Sequence, residues 1–390
     1  MRDFIFNIST RIFFGKNQII KLGDEIKKYG NKVLLVYGGG SIKKIGIYDK
    51  VTKQLKENNI EYYELSGIVP NPRLDKVKEG VKLARKEKVE FILAVGGGSV
   101  IDTAKLIAVS ALSDVDPWNI VLGKEKIQKA IPLGSVLTLS ATGSEMDNDS
   151  VITNEETGQK LGWVSEYARP KFAFMNPEYT YTVNSYHTAA GTADIMSHTM
   201  ENYFSLNDGA FFQNREAEGI LKTCLHYGPI AISDPENYEA RANLMWAASW
   251  AINGLLSGGK DVEWSVHPME HELSAQKNIT HGVGLAILTP HRLKYCLNKD
   301  TAHKIADFAY NVFDIEKSKS IILDADRGIE ALKNFFIQIG ISESLSSFGF
   351  QVSDLEKMAE NCIKNTNKEC IRGFIDLYEE DILNIYKSAL

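Results

Sequence analysis

Apolar positions in the first half of the chain alternate between two periods. Val33-Leu34-Leu35-Val36-Tyr37 and Phe91-Ile92-Leu93-Ala94-Val95 are unbroken apolar runs, the pattern of strands buried on both faces of a parallel sheet. Tyr62-Tyr63-Glu64-Leu65 reads as another strand, and Phe4-Ile5-Phe6 with Thr10-Arg11-Ile12-Phe13-Phe14 predicts a hairpin or a pair of edge strands. Residues 19–29, 47–58 and 74–86 carry apolar side chains at helical spacing, the last through Val77, Val81 and Ala84. Strands separated by helices of this length imply βαβ units and a parallel sheet. From about Ser185 the strand-like runs stop. Amphipathic stretches over 187–204, 211–227, 236–258, 265–276, 281–297, 300–313, 325–339 and 353–366 take over. The change predicts two domains: an α/β domain over 1–185 and an all-helical domain over 186–390.

Composition narrows the functional classes. A net charge of −6, from 44 basic and 50 acidic residues mixed along the chain, leaves no polyanion-binding footprint, so no nucleic-acid partner is expected. The four cysteines (Cys224, Cys296, Cys362 and Cys370) have no CxxC spacing and are too few to staple 390 residues. They are read as reduced thiols of a cytoplasmic protein. No apolar run reaches the roughly eighteen residues of a membrane span, and the N-terminal run is too short for a signal-peptide core.

Two glycine loops each follow a buried strand and open a helical pattern: Gly38-Gly39-Gly40-Ser41 and Gly96-Gly97-Gly98-Ser99. Missing side chains let backbone amides and a helix N-terminus approach a pyrophosphate. Neither loop completes the G-x-G-x-x-G fingerprint, since Lys43 and Ile101 stand at the third glycine position, and a tight turn with Ser41 or Ser99 as N-cap is the alternative. No acid precedes Asp49 to hold a ribose 2′-hydroxyl, whereas Lys43 and Lys44 suit a 2′-phosphate. NADP(H) is therefore favoured over NAD(H), with solvated lysines the competing reading.

Asp194 and His198, four apart on a helical pattern, leave one face and can meet one cation. Alone they read equally as an ion pair. His267-Pro268-Met269-Glu270-His271 and, ten residues on, His281-Gly282 supply further imidazoles. Three imidazoles and a carboxylate suit a borderline divalent ion such as Fe²⁺ or Zn²⁺ better than Mg²⁺ or Ca²⁺. The H-x-x-E-H run also fits an inverted zinc-peptidase signature with Glu270 as base, but that leaves the glycine loops and Asp194–His198 without a role. Gly254-Leu255-Leu256-Ser257-Gly258-Gly259-Lys260 imitates a Walker A loop, yet ends in Asp261 and follows no strand.

In chain order, Gly96-Gly97-Gly98-Ser99-x-x-Asp102, the 138–145 run Thr-Leu-Ser-Ala-Thr-Gly-Ser-Glu, Asp194-x-x-x-His198, His267-Pro268-x-Glu270-His271 and Thr280-His281-Gly282 are the motifs of a known family. Over essentially its full length the chain resembles the iron-containing (group III) alcohol dehydrogenases, specifically their bacterial butanol dehydrogenase branch. The resemblance implies the dehydroquinate synthase-like fold: an α/β dinucleotide-binding domain with a parallel sheet, then an all-α domain. It implies metal ligation by Asp194, His198, His267 and His281, with His271 near nicotinamide and substrate as the candidate proton relay. It places the pyrophosphate at Gly97, Gly98 and Ser99, with Asp102, in the first helical turn of the cofactor site, capping backbone amides or meeting the nicotinamide end. Thr138, Ser140 and Thr142 border the ribose and adenine, Lys160 lies near the cofactor ribose, and Gly39 and Ser41 lie by the adenosine 2′ position. Ser140 departs from the family, which often has proline there. The implied reaction is hydride transfer between NAD(P)H and a short-chain aldehyde or primary alcohol, the metal polarising the carbonyl oxygen.

Trp246, Trp250 and Phe204 are pocket-wall candidates, with a core role as the alternative. A polyol- or sugar-phosphate dehydrogenase, or a lyase of the same fold group, would need clustered basic residues. Between 187 and 281 only Arg215, Lys222, Arg241, Lys260 and Lys277 are basic, and they are scattered. A nucleotide-binding regulatory module would leave the metal quartet unexplained. Edge pairing of the N-terminal β segment makes a homodimer the expected assembly.

Overall fold

The apolar runs at 33–37 and 91–95 lie side by side. The computed structural model describes residues 1–205, 209–262, 264–366 and 368–390. In it a six-stranded sheet runs in the order β1 (Arg11–Phe14), β8 (Phe172–Met175), β5 (Leu133–Leu137), β4 (Phe91–Gly96), β2 (Lys32–Tyr37) and β3 (Glu61–Leu65), every pair parallel. Alternate residues point to opposite faces, and both faces are covered. Leu34, Val36, Ile92 and Ala94 pack with the helices Leu74–Lys86 and Gly98–Ser110. Val33, Leu35, Leu93 and Val95 pack with the helix Ile47–Glu57. Two further strands, β6 (Asp149–Asn154) and β7 (Gln159–Val164), form an antiparallel hairpin.

The chain leaves β2 for β3 on one side, then returns to lay β4, β5 and β8 on the other. The strand order therefore reverses between β2 and β4, the position at which open α/β sheets bind ligands outside the strands' carboxyl ends.

Two structural units follow from the packing. One comprises Asn7–Val183 with Glu236–Met245; the other comprises Met1–Phe6, Asn184–Pro235 and Trp246–Leu390. A single cut between 185 and 186 describes neither, because the chain crosses more than once. The second unit is built from the helices Ser185–Tyr203, Phe211–Ser233, Val266–Lys277, His281–Cys296, Ala302–Phe313, Ile321–Gln338, Val352–Thr366 and Glu379–Ala389, with the end of Tyr238–Ile252. Ser185–Tyr203 is buried along its length from Thr188 onward, the pattern of a helix surrounded by others. No helix among the described residues is long and apolar enough to cross a membrane.

The expected N-terminal hairpin does not form. β1 is a single outer strand parallel to β8, and Phe4–Phe6 forms no strand. That segment lies instead on the glycines that imitated a Walker A loop: Arg2 N donates to Gly259 O at 2.9 Å, and side chains at Gly258 or Gly259 would collide with Phe4 or Met1. The lysine ending that run, Lys260, is buried and donates to Asn202 O at 2.9 Å and Asn214 Oδ1 at 2.8 Å. It has no phosphate-binding geometry. The helical stretch at 211–227 continues to Ser233 through Pro229, which has no N–H to donate to the carbonyl four residues back.

Close approach of two helices depends on one missing side chain. A methyl group on Gly282 would overlap the carbonyl oxygen of Ala190, so His281–Cys296 can cross Ser185–Tyr203 only with glycine there. Gly282→Ala is expected to lower stability by about 1–3 kcal/mol in urea unfolding, as overpacking does. Gly219→Ala, on the helix Phe211–Ser233 where a methyl meets nothing within 4 Å, should leave it unchanged or slightly raised; equal effects would show that the helix crossing is not tight.

Candidate functional site

The helix Ser185–Tyr203 starts on Asn184, whose side chain accepts from His187 N at 2.8 Å, so His187 belongs to the first turn. Asp194, His198 and Glu201 follow at i, i+4 and i+7, one helical face. His267 is the second residue of Val266–Lys277, and His281 is the first residue of His281–Cys296. Packing of these helices brings the four candidate ligands together. His198 Nε2 lies 3.6 Å from Asp194 Oδ1, and His281 Nε2 lies 3.8 Å from the same oxygen. Ligand atoms of Asp194, His267 and His281 lie within 4.8 Å of one another. His198 and His267 stack with ring centroids 4.8 Å apart. Donors about 2.1 Å from one tetrahedral ion are roughly 3.4 Å apart, so the spacings fit a shared cation.

Two carboxylates stand behind two of the imidazoles. Glu201 accepts from Ser265 N, Val266 N (2.7 Å) and His267 N (3.1 Å) and faces His267 Nδ1 at 3.2 Å. His267 Nε2 is buried with no hydrogen-bond partner among the described residues. Glu270, wholly buried, pairs with His281 Nδ1 and Ser274 Oγ. Such carboxylate–imidazole pairs fix the tautomer that leaves Nε2 for a metal. Burial, then the neighbouring His267 and His281, push the His198 pKa well below its ordinary value, into the neutral form a metal requires. Burial pushes Glu201 up, but His267, Arg292 and the Ser265 amide outweigh it and hold the carboxyl below its usual range.

Glu201 was missed in the sequence, although it stands one helical repeat beyond His198. Trp264 was missed too; its ring lies 4.6 Å from that of His267 and 5.6 Å from that of His198. His271 is half-buried, its ring 5.8 Å from that of His281. Phe204 is core, packed on Tyr203, Phe308 and Phe374. Trp246 and Trp250 stack edge-to-face at 5.5 Å.

In the α/β unit, three loops leave the carboxyl ends of adjacent strands. Register pairs Tyr37 with Val95 and Gly96 with Leu137. The Gly38–Gly40, Gly97–Ser99 and Thr138–Thr142 segments therefore emerge together at the reversal of strand order. Gly40 has φ +113° and requires glycine. A side chain on Gly98 would strike Thr142, so part of the second loop is explained by packing alone. Gly39 is different: a Cβ there meets nothing, and the space above it is open. Ser140 Oγ is buried with no hydrogen-bond partner among the described residues. Ser41 is exposed at the start of a four-residue helix, and Lys160 is buried on β7 opposite Thr153. The Lys43 ammonium lies over the rings of Tyr37 and Tyr48 and 4.0 Å from Glu64, which accepts from Tyr48 at 2.6 Å.

Asp102 is engaged within the α/β unit. It accepts from Ser144 Oγ at 2.6 Å and Val151 N at 2.9 Å, tying the helix Gly98–Ser110 to β6. Beside it the fully buried Lys105 pairs with Asp147 and donates to Asp149 O at 2.7 Å.

Residues 9–177 match the model of a family described as iron-containing alcohol dehydrogenase, and residues 188–390 match its C-terminal counterpart, the Fe-containing alcohol dehydrogenase family. The chain belongs to the iron-containing alcohol dehydrogenases. It is 52% identical to NADH-dependent butanol dehydrogenase A of Clostridium acetobutylicum, covering 100% of both chains. It is 42% identical to the NADPH-dependent aldehyde reductase YqhD of Escherichia coli over 91% of each. The crystal structure of NADH-dependent butanol dehydrogenase A from Thermotoga maritima superposes with a TM-score of 0.95 at 41% identity, covering 100% of this chain and 99% of that one. This alcohol dehydrogenase sits on the butanol dehydrogenase branch and is an NAD(P)-dependent oxidoreductase acting on CH–OH groups.

Burial, opposed by Lys105, Ser144 and Val151, pushes the Asp102 pKa up from 3.8 to about 6. A raised acid pKa means stability that is full below pH ~4 and is lost as pH rises through ~6. The stability of the wild type minus that of Asp102→Asn should therefore fall by about 2–3 kcal/mol between pH 4 and pH 7 in urea titrations. Asp149, pushed up to about 7 by burial and Asp147, titrates in both proteins. A difference that stays flat with pH would show that Asp102 does not titrate in the fold.

Proposed function

We propose that this alcohol dehydrogenase reduces short-chain aldehydes of the butanal type to primary alcohols, and catalyses the reverse, with NADP(H) favoured over NAD(H) and Fe²⁺ as resident metal, Zn²⁺ being able to replace it. The convergence of Asp194, His198, His267 and His281 carries the reading. When bound, the ion supplies Lewis acidity toward a carbonyl oxygen and the nicotinamide supplies the hydride.

The chain's own residues do the rest. Asp194 contributes charge to the ion, and His198, His267 and His281 bind it as neutral imidazoles. His271 relays the alcohol proton. Gly97, Gly98 and Ser99 hold the pyrophosphate at a helix N-terminus. Thr138, Ser140, Thr142 and Lys160 border ribose and adenine, with the unsatisfied Ser140 hydroxyl in support. Asp102 positions this segment through Ser144 rather than binding cofactor. Gly39 and Ser41 take the adenosine 2′ position, where the open space over Gly39 leaves room for a phosphate. Glu64 draws Lys43 back from that position, so the NADP(H) preference is modest, about fivefold for one exposed ion pair of ~1 kcal/mol.

Sugar- or polyol-phosphate substrates are disfavoured, since Lys260 is committed to Asn202 and Asn214, Arg215 to Glu218 and Lys222 to Asp314. A peptidase reading is disfavoured as well, because Glu270 is occupied by His281 and Ser274. We assign a cytoplasmic homodimer, in keeping with four buried free cysteines and the outer strand β1.

Butanal reduction should run with both cofactors, with kcat/KM a fewfold higher for NADPH. Stripping with a chelator should lower it at least 10²-fold, the scale of several kcal/mol of carbonyl polarisation, and Fe²⁺ or Zn²⁺ should restore it. Activity indifferent to chelation would remove the metal from the reaction. In His267→Ala, metal content after dialysis should fall below about a tenth of wild type, given tight structural binding by the intact set; full retention would reassign the ligands.

A further inference from the structure

Glu201 is the third acidic or imidazole residue on the face that carries Asp194 and His198, yet its hydrogen bonds run to a different helix. All its contacts run to the start of the helix Val266–Lys277. Oε2 accepts from Ser265 N at 3.0 Å and Ser265 Oγ at 3.4 Å; Oε1 accepts from Val266 N at 2.7 Å and His267 N at 3.1 Å, and faces His267 Nδ1 at 3.2 Å. Ser265, the N-cap residue, makes no side-chain cap of its own. The carboxylate of a different helix does that work, and one oxygen serves both the helix terminus and the imidazole.

We propose that Glu201 is a positioning residue for the metal centre: it caps the helix Val266–Lys277 and, through the same oxygen, holds His267 as the Nδ1–H tautomer with Nε2 turned to the ion. This rests on the metal reading above and names a residue that acts through His267 without touching ion, cofactor or substrate. The argument is geometric. An imidazole on the second residue of a helix can rotate about two side-chain bonds. Here its Nδ1 is anchored to a carboxylate that four other donors hold in place, so its Nε2 is fixed before any ion arrives. Partners of this kind typically change metal affinity by about 10–100-fold. The pair also offsets a handicap, since the positive end of a helix dipole disfavours a cation.

The test uses the full-length protein and Zn²⁺ as the probe, with affinity read by competition against a chromophoric chelator. Glu201→Gln keeps an oxygen for the amides but loses the charge on Nδ1–H. Its Zn²⁺ affinity should drop about 10–100-fold, and the visible spectrum of the Co²⁺-loaded variant should differ from wild type. Ser265→Ala, which removes one cap contact and leaves the Nδ1 pair, should bind Zn²⁺ as wild type does. A Glu201→Gln affinity within twofold of wild type overturns the proposal, as does an equal loss in Ser265→Ala, which would mark a purely structural cap. Should Glu201→Gln fail to fold, ¹⁵N-histidine spectra of the Zn²⁺-loaded wild type decide. A protonated Nδ1 on His267 with metallated Nε2 supports the assignment; the opposite tautomer overturns it while leaving the metal centre standing. Absence of Zn²⁺ binding by wild type would instead remove the metal reading, and this proposal with it.

Discussion

A dication among packed helices needs negative charge close at hand, and the helical unit provides it from three buried carboxylates. Asp194 faces the imidazoles directly, while Glu201 and Glu270 stand behind His267 and His281. Those two histidines begin their helices, where unpaired amides already give a positive potential. Without the paired acids, binding a cation there would work against both helix termini. The arrangement needs helices that approach closely, which explains why a glycine sits where His281–Cys296 meets Ala190. Ligand chemistry and helix packing are thus one constraint.

The α/β unit solves a different problem by topology. Reversal of strand order between β2 and β4 opens a crevice at their carboxyl ends, and both glycine loops leave from there. Not every glycine faces that crevice for a ligand's sake: Gly98 accommodates Thr142, whereas Gly39 accommodates nothing the chain itself provides. Beneath the loops, Asp102, Lys105, Asp147 and Asp149 form a buried charge network that fastens the helix Gly98–Ser110 to β6. That network anchors the helix behind the second loop, and the missing side chain at Gly39 leaves space above the first.

Much of this was legible in the residues. β2, β3 and β4, the helices between them and the helical second half carry strong periodicity, and the metal quartet stood out because imidazoles are rare. Four strands escaped. β5 and β8 are short, Gly134 weakens the first, and β6 and β7 carry polar side chains such as Asn154 and Lys160 that face partners within the unit. Phe4–Phe6 looked like a strand because aromatic runs suit sheets; its real partner is a glycine platform some 250 residues away, which no local pattern reveals. Glu201 reads as an ordinary acid and Glu270 as the base of a peptidase-like run, since a side chain that acts through another has no motif of its own. Lys43 was read as reaching outward, and only tertiary structure reveals Glu64 beside it.

The docking of Met1–Phe6 on Gly254–Gly259 bears on how the molecule comes into being. The glycines that receive these residues lie some 250 positions further along the chain. Closing so long a loop carries an entropic cost that grows slowly with length, so the step belongs late in assembly. The α/β unit, complete but for Glu236–Met245, can form before that step.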